Sequence, residues 1–348
     1  MGIFWFLVVL SFLVFFHELG HFSVARYFGV KVHHFSIGFG PRLVSKYWKG
    51  TTWSISAIPL GGYVQMKGQE DLDPSKTSTD KDSYSMLSPY KKIGILLAGP
   101  GANFILAFVL YFFVGMMEHN EISSKIGMIQ KDMPGYQAGL QKDDVIVRIN
   151  DKDIKIWDDL KGIIETSQGP IKVYVQRDGV IKGLTIYPKI AESKNIFGEP
   201  IQKKMVGIAP GGVTKISYDL GDSVIYAWNK TIWASTVIFQ GVQKLITGVV
   251  SHTEVGGVIS IGKVISDASE SGIVAIFMIA ALISVNLGVL NLLPIPALDG
   301  GHIMFNLYEI ITRKAPSPKI LTQLTIAGWV ILLGLMTLGL YNDINRLF

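Results

Sequence analysis

The chain has 348 residues, a formal net charge of +5 and no cysteine, with 49% hydrophobic and only 17% charged residues. That composition is too apolar for an ordinary soluble enzyme. The absence of cysteine excludes a disulfide framework and any thiolate-ligated metal, so a bound metal must use histidine and carboxylate.

Residues 3–16 are apolar and carry no basic residue and no small-residue cleavage site. Residues 1–27 therefore read as a retained transmembrane helix rather than a secretory leader. Residues 28–92 follow, and positions 26–92 hold ten Lys or Arg against five Asp or Glu. By the positive-inside rule this excess predicts a cytoplasmic loop and an N-terminus outside. Within it, TTWSISAIPLGGYVQM (51–66) alternates around a Pro-Leu-Gly-Gly break and predicts a membrane-associated β-hairpin. GQEDLDPSKTSTDKDS (68–83) has nothing to build a core and reads as a mobile connector.

A second span is expected over 93–117. The polar section after it alternates strands, an Ala-Gly-Leu turn and an amphipathic helix near Trp157, and ends on two strands around Asp178-Gly179. The pattern over 118–192 resembles a single PDZ-like α/β domain, with Asp143 and Asp151 where such domains usually place glycine. Residues 193–270 form the rest of an extracytoplasmic region. There Val224, Trp228, Ile232, Phe239, Val242 and Ile246 recur at helical spacing, so 220–250 reads as an interfacial amphipathic helix, not a fifth span. A third span covers 271–298 and ends in NLLPIPALDG, a cytoplasmic loop covers 299–320, and a fourth span covers 321–342. The expected class is thus a polytopic α-helical membrane protein of about four transmembrane helices with the hairpin and the PDZ-like insertion.

The chemistry lies in HELGH, residues 17–21. On a helix His17 and His21 share one face and reach one ion, with Glu18 beside them. Ionisable groups at membrane depth persist where they pair, bind ions or line a wet cavity. Zinc poised for hydrolysis needs three protein ligands and an open position. Asp299, in NLLPIPALDGGH, is the best third donor, and His302 is the rival or a residue behind the ligands. Same-direction crossing of the first and third spans brings both motifs toward one leaflet. His33, His34, His119 and His252 are taken as solvated. Asn103 is either a helix-packing contact after a Gly-Pro-Gly turn or a group near the metal.

With HELGH at 17–21, GFGP at 38–41, PLGGYVQM at 59–66, GPGAN at 99–103 and NLLPIPALDGGH at 291–302, the chain resembles the site-2 protease family of intramembrane zinc metalloproteases, most closely the bacterial RseP-like (regulator of sigma-E protease) subgroup. Enterobacterial members carry two PDZ units where this chain has one. The resemblance implies one zinc per chain held by His17, His21 and Asp299, and Glu18 as catalytic base. It implies substrate contacts from the hairpin (Ser54, Ile55, Ser56, Ala57, Ile58, Gly61, Gly62, Tyr63) by β-strand addition. Asn291 would hold the peptide backbone, and Pro294 and Pro296 would keep that segment from closing as a regular helix. The expected activity is an endopeptidase cutting transmembrane segments of pre-trimmed single-span proteins, such as anti-sigma factors or remnant signal peptides, in a stress response at the bacterial inner membrane. Expected partners are those substrates, the lipid bilayer and a peptide segment at the PDZ-like unit, with no nucleic acid. Both termini and the PDZ-like unit would be extracytoplasmic, with the active site toward the cytoplasm. An inactive PDZ scaffold is the alternative, but a scaffold needs no base at position 18. A divalent-metal transporter would string ligands through the membrane, and 102–117 and 326–340 carry none.

Overall fold

A computed structural model describes residues 2–69 and 78–347, at positions 59 and 60 for the backbone alone. The chain divides into two compact units, one built from residues up to 115 and from 220 onward, the other from 116–219.

The first unit opens with α1 (Gly2–Tyr27), then β1 (Val32–Trp48), β2 (Thr51–Met66) and α2 (Pro89–Met116). At 26 residues α1 is long enough to cross a bilayer core of about 30 Å. The β1–β2 ladder is antiparallel and turns at Lys49 and Gly50, both with positive φ. Its register corrects the expected hairpin. Residues 62–66 pair with 32–37, whereas 52–55 pair with 44–47 on one side and, running in the same direction, with 34–37 on the other. The Pro-Leu-Gly-Gly break therefore carries the chain across the 34–37 segment and does not fold 51–66 onto itself. The sheet seats on α1 through Phe22, which meets Phe35 and Trp53 edge-on, while those two rings stack at 4.5 Å.

The connector expectation falls partly on residues 70–77, which lie outside the described residues. Its described flanks are tied down: Lys67 bonds Asp82 at 2.6 Å and pairs with Asp80 at 2.8 Å, and Ser83 is buried. These bonds hold the Lys67 ammonium above its usual range and both carboxyls below theirs. The expected Gly-Pro-Gly turn is not a turn, because α2 runs through Pro100.

The second unit contains β3 (His119–Ile122), β4 (Ile126–Ile129), α3 (Pro134–Gln137), β5 (Val145–Ile149), β6 (Lys152–Asp153), α4 (Trp157–Thr166), β7 (Ile171–Arg177), β8 (Val180–Ile186), β9 (Lys189–Lys194), β10 (Pro200–Met205), β11 (Ile208–Pro210) and β12 (Val213–Ile216). An antiparallel sheet of order β6-β5-β7-β8 packs with α4 around Ile146, Ile149, Leu160, Ile171, Val175 and Ile186. The unit runs past position 192 because β11 pairs with β4 and β12 with β3. Asp178 and Gly179 both take positive φ at the β7–β8 turn, as a two-residue hairpin requires. Asp143 adopts the left-handed conformation, with its carboxyl held low by Lys125 at 2.8 Å. At the Asn-Asp turn the left-handed residue is Asn150, not Asp151.

The first unit resumes with α5 (Leu220–Ile246), α6 (Val258–Ser271), α7 (Ile273–Asn291), α8 (Asp299–Thr312) and α9 (Pro318–Leu347). Among the described residues four helices are long and apolar enough to cross a membrane: α1, α2, α7 and α9. In α5 Ser223, Tyr226, Ala227, Thr231 and Ala234 are buried, while Val224, Trp228, Ile232, Phe239 and Ile246 are exposed. Two elements were not anticipated: α6, and α8 where 299–320 read as a loop. The N-terminus of α6 is held by Asp343 of α9, whose carboxylate accepts from the Gly257 and Ile259 amides at 2.9 Å each.

Candidate metal centre

The helical spacing of HELGH puts His17 and His21 on the buried side of α1. Their Nε2 atoms stand 3.2 Å apart. The third member comes from α8, where Leu292–Leu298 leaves α7 in tight turns and Asp299 begins the new helix. Gly300 and Gly301 allow this turn, since a methyl on either would meet a backbone carbonyl oxygen at 2.3 Å. Asp299 Oδ2 lies 3.5 Å from His17 Nε2 and 3.4 Å from His21 Nε2. It is buried and accepts no hydrogen bond.

This triangle fits zinc. Ligand atoms of a tetrahedral ion with bonds of about 2.0–2.1 Å stand about 3.3–3.4 Å apart. Three protein ligands leave the fourth position for water or substrate. His21 Nδ1–H donates to Ile95 O at 2.8 Å, which fixes the tautomer whose Nε2 lone pair faces the centre. Behind His17 the amide of Asn103 lies 3.0 Å from Nδ1, and Asn103 Oδ1 is buried without a partner. A half-turn of the amide sets Oδ1 against His17 Nδ1–H, satisfies both atoms and aims the second Nε2 at the ion. Ser284 of α7 anchors this helix turn by donating to Asn103 O at 2.8 Å. The rings also need Gly99, where a methyl would lie 2.3 Å from His21 Nε2 and 2.9 Å from His17 Cε1.

The three residues open into a cavity of about 500 Å³ that Glu18, Asn291 and His302 also line. Glu18 sits against β2, its Cγ 3.2 Å from where a Gly62 side chain would begin. His302 is one helical turn past Asp299, its ring edge-on to Phe305, and is not part of the ligand triangle. Of the hairpin residues singled out in the sequence, Gly62 and Tyr63 line the cavity, joined by Val64, Gln65 and Met66. Ser54 and Ile55 pair on both flanks and have no free edge. Ser54 and Ser56 are buried in hydroxyl contacts with Ser36 at 3.0 Å each, while Ile55, Ala57 and Ile58 are exposed. Gly61 carries the chain at φ +125 under the Phe39 ring. Pro294 and Pro296 belong to the turn that delivers Asp299 and are not in the lining.

The expectation that four histidines are solvated holds at His33 and His252 and fails at two others. His34 is buried against Ser54 Oγ at 2.8 Å, with its ring stacked on Tyr63. His119 is buried in the second unit and donates to Met117 O at 2.9 Å. Ile95, Gly99, Leu96, Thr325 and Trp329 were not found from sequence. Of these only Gly99 carried a signal, as the first residue of GPGAN, where no role had been assigned to it.

Residues 5–335 match the model of peptidase family M50. A predicted zinc metalloprotease of Campylobacter jejuni, Cj1068, is 45% identical over 98% of this chain and 92% of its own length. One of Helicobacter pylori is 36% identical over 98% of both chains. The zinc metalloprotease RasP of Oceanobacillus iheyensis is 28% identical over 99% of this chain and 98% of its own.

Proposed function

Because the chain belongs to peptidase family M50, the site-2 proteases, and is a zinc metalloprotease of that family, we propose that it hydrolyses peptide bonds within transmembrane segments of pre-trimmed single-span proteins, with anti-sigma factors and remnant signal peptides as the expected substrate classes. The observation that carries the reading is the zinc-sized triangle of His17, His21 and Asp299 beside Glu18, on a helix apolar enough to span a bilayer. A bound zinc supplies a water of lowered pKa and polarises the scissile carbonyl. The chain supplies the rest. Glu18 takes the proton from the attacking water and returns it to the leaving amine. Ile95 O and the Asn103 amide keep the two imidazoles oriented.

A helical substrate must first be drawn out, because its carbonyls are hydrogen-bonded and shielded. Residues 62–66 pair only with β1 among the described residues and line the cavity, so they are the edge to which an extended substrate adds. Asn291, which lines the same cavity, holds the substrate backbone. The second unit, read as PDZ-like from its sequence pattern, acts by binding a peptide segment or by excluding bulky ectodomains. Its side of the bacterial inner membrane is extracytoplasmic, and the metal lies toward the cytoplasm.

The test is cleavage of a reporter transmembrane peptide by purified wild type and Glu18→Gln, with zinc measured in both. The variant is expected to keep zinc and lose cleavage by at least about a hundredfold, in the range of a lost general base. Equal cleavage by the two removes Glu18 from the mechanism.

A further inference from the structure

The three members of the metal triangle are not held alike. His21 is fixed from behind by Ile95 O at 2.8 Å, and His17 by the Asn103 amide at 3.0 Å. Asp299 Oδ2 accepts no hydrogen bond among the described residues, so its place is set by the backbone that carries it. That backbone is the turn between α7 and α8. Pro294 and Pro296 have no N–H to give, and the bonds inside the turn run from Ile295 N to Leu293 O at 2.7 Å and from Leu298 N to Ile295 O at 2.8 Å.

The last helix braces this turn. At Gly328 α9 lies directly on it: a methyl there would stand 2.6 Å from Ala297 N, 3.0 Å from Ala297 Cβ and 3.2 Å from the carbonyl carbon of Pro296. Ala297 is two residues before Asp299. Gly328 is buried, as is Thr325 one turn earlier on the same face, and the other buried residues of α9 are Gly339, Asn342 and Asp343. That second group seats on residues 256–259, where Asp343 accepts from the Gly257 and Ile259 amides. The helix therefore rests at two places, and only the Gly328 contact bears on the turn that carries a ligand. Resting on the reading that His17, His21 and Asp299 hold the zinc, we infer that Gly328 is a positioning residue for Asp299. The bare backbone of α9 at this point is the surface against which the turn is set, and it brings the carboxylate within ligand distance of the two imidazoles. The residue acts by having no side chain. A methyl at 2.6 Å must gain about 0.8 Å to reach ordinary contact at 3.4 Å, and two of the three atoms it meets are backbone. Zinc bonds tolerate only about 0.2 Å.

The experiment measures zinc affinity by chelator competition on the purified full chain, in Gly328→Ala, Gly339→Ala, Asp299→Ala and the double variant Gly328→Ala with Asp299→Ala. Gly328→Ala is expected to weaken zinc binding about 10- to 100-fold, the range for losing a group that orients a ligand. Gly339→Ala crowds the other contact of the same helix, with its methyl 3.0 Å from Gly257 Cα and about 16 Å along the axis from Gly328. It is expected to bind zinc within about twofold of wild type. In the Asp299→Ala background Gly328→Ala is expected to change affinity by less than about twofold, because the ligand it positions is gone. Wild-type affinity in Gly328→Ala overturns the inference. So does an equal loss in Gly339→Ala, which assigns the effect to helix packing at large, or an equal loss with and without Asp299, which routes it through some other group. These three outcomes leave the ligand set standing, whereas wild-type affinity in Asp299→Ala alone strikes the ligand set and the inference with it. If Gly328→Ala does not fold, Ala297→Val crowds the same contact from the side of the turn and is read in the same two backgrounds.

Discussion

Gly99→Ala offers a sharp test of the metal centre, because it adds one methyl group and no charge. The new Cβ would lie 2.3 Å from His21 Nε2, 2.5 Å from His21 Cε1 and 2.9 Å from His17 Cε1, where ordinary contact begins at 3.4 Å. His21 must therefore retreat by about 1 Å. It has no easy way to do so. Its Nδ1 is bound to Ile95 O on the same helix that carries Gly99, and the Asn103 contact to His17 comes from that helix too. Moving α2 off α1 would break both contacts. Zinc bonds tolerate about 0.2 Å, so a 1 Å displacement amounts to loss of a ligand. Losing a group behind a ligand weakens metal binding about 10- to 100-fold, and losing the ligand itself should weaken it by at least about the larger of these. The assay is zinc per chain after purification without chelator, followed by competition with a calibrated chelator. Gly101→Ala, two residues along α2 with nothing within 4 Å of its new methyl, is the control and is expected to bind zinc as wild type does. Wild-type zinc affinity in Gly99→Ala would refute the geometry derived for the site.

Asn103→Ala removes the group that orients His17, and zinc affinity in the same competition assay is expected to drop about 10- to 100-fold while the fold persists. His34 gives a pH dependence: burial, and then the charge of Arg42, hold its pKa below the ordinary value of about 6.5. The unfolded chain therefore takes up the proton first, and stability present above about pH 6.5 is lost as pH falls through the depressed folded value. Melting temperatures measured from pH 7.5 to pH 5 should fall for wild type and fall less for His34→Gln.

Much of this was legible in the residue string, for identifiable reasons. Four apolar runs long enough to cross a bilayer state their own class, because the solvent for such segments is lipid. HELGH states its chemistry because helical spacing alone puts positions 17 and 21 on one face. The Asp178-Gly179 turn was readable because two consecutive positive φ values favour these residues. Each of these is a local rule, in which the cause lies within a few residues of its effect.

What the sequence could not supply depends on neighbours distant along the chain. Residues 52–55 alternate as an edge strand would, yet the ladder places them between two other segments and leaves 62–66 at an edge among the described residues. Nothing local distinguishes a strand paired on one side from one paired on both. Position 99 reads as an ordinary small residue of an apolar helix until two imidazoles from α1 are packed over it. Thr322 and Thr325 look alike on paper. Only the packing of α9 buries the Thr325 hydroxyl without a partner, while that of Thr322 bonds its own helix at Pro318 O. Sequence determined which groups are present and which lie on a common helical face. Tertiary structure decided which backbone edges and polar atoms were left over, because pairing and burial are properties of contacts and not of residues.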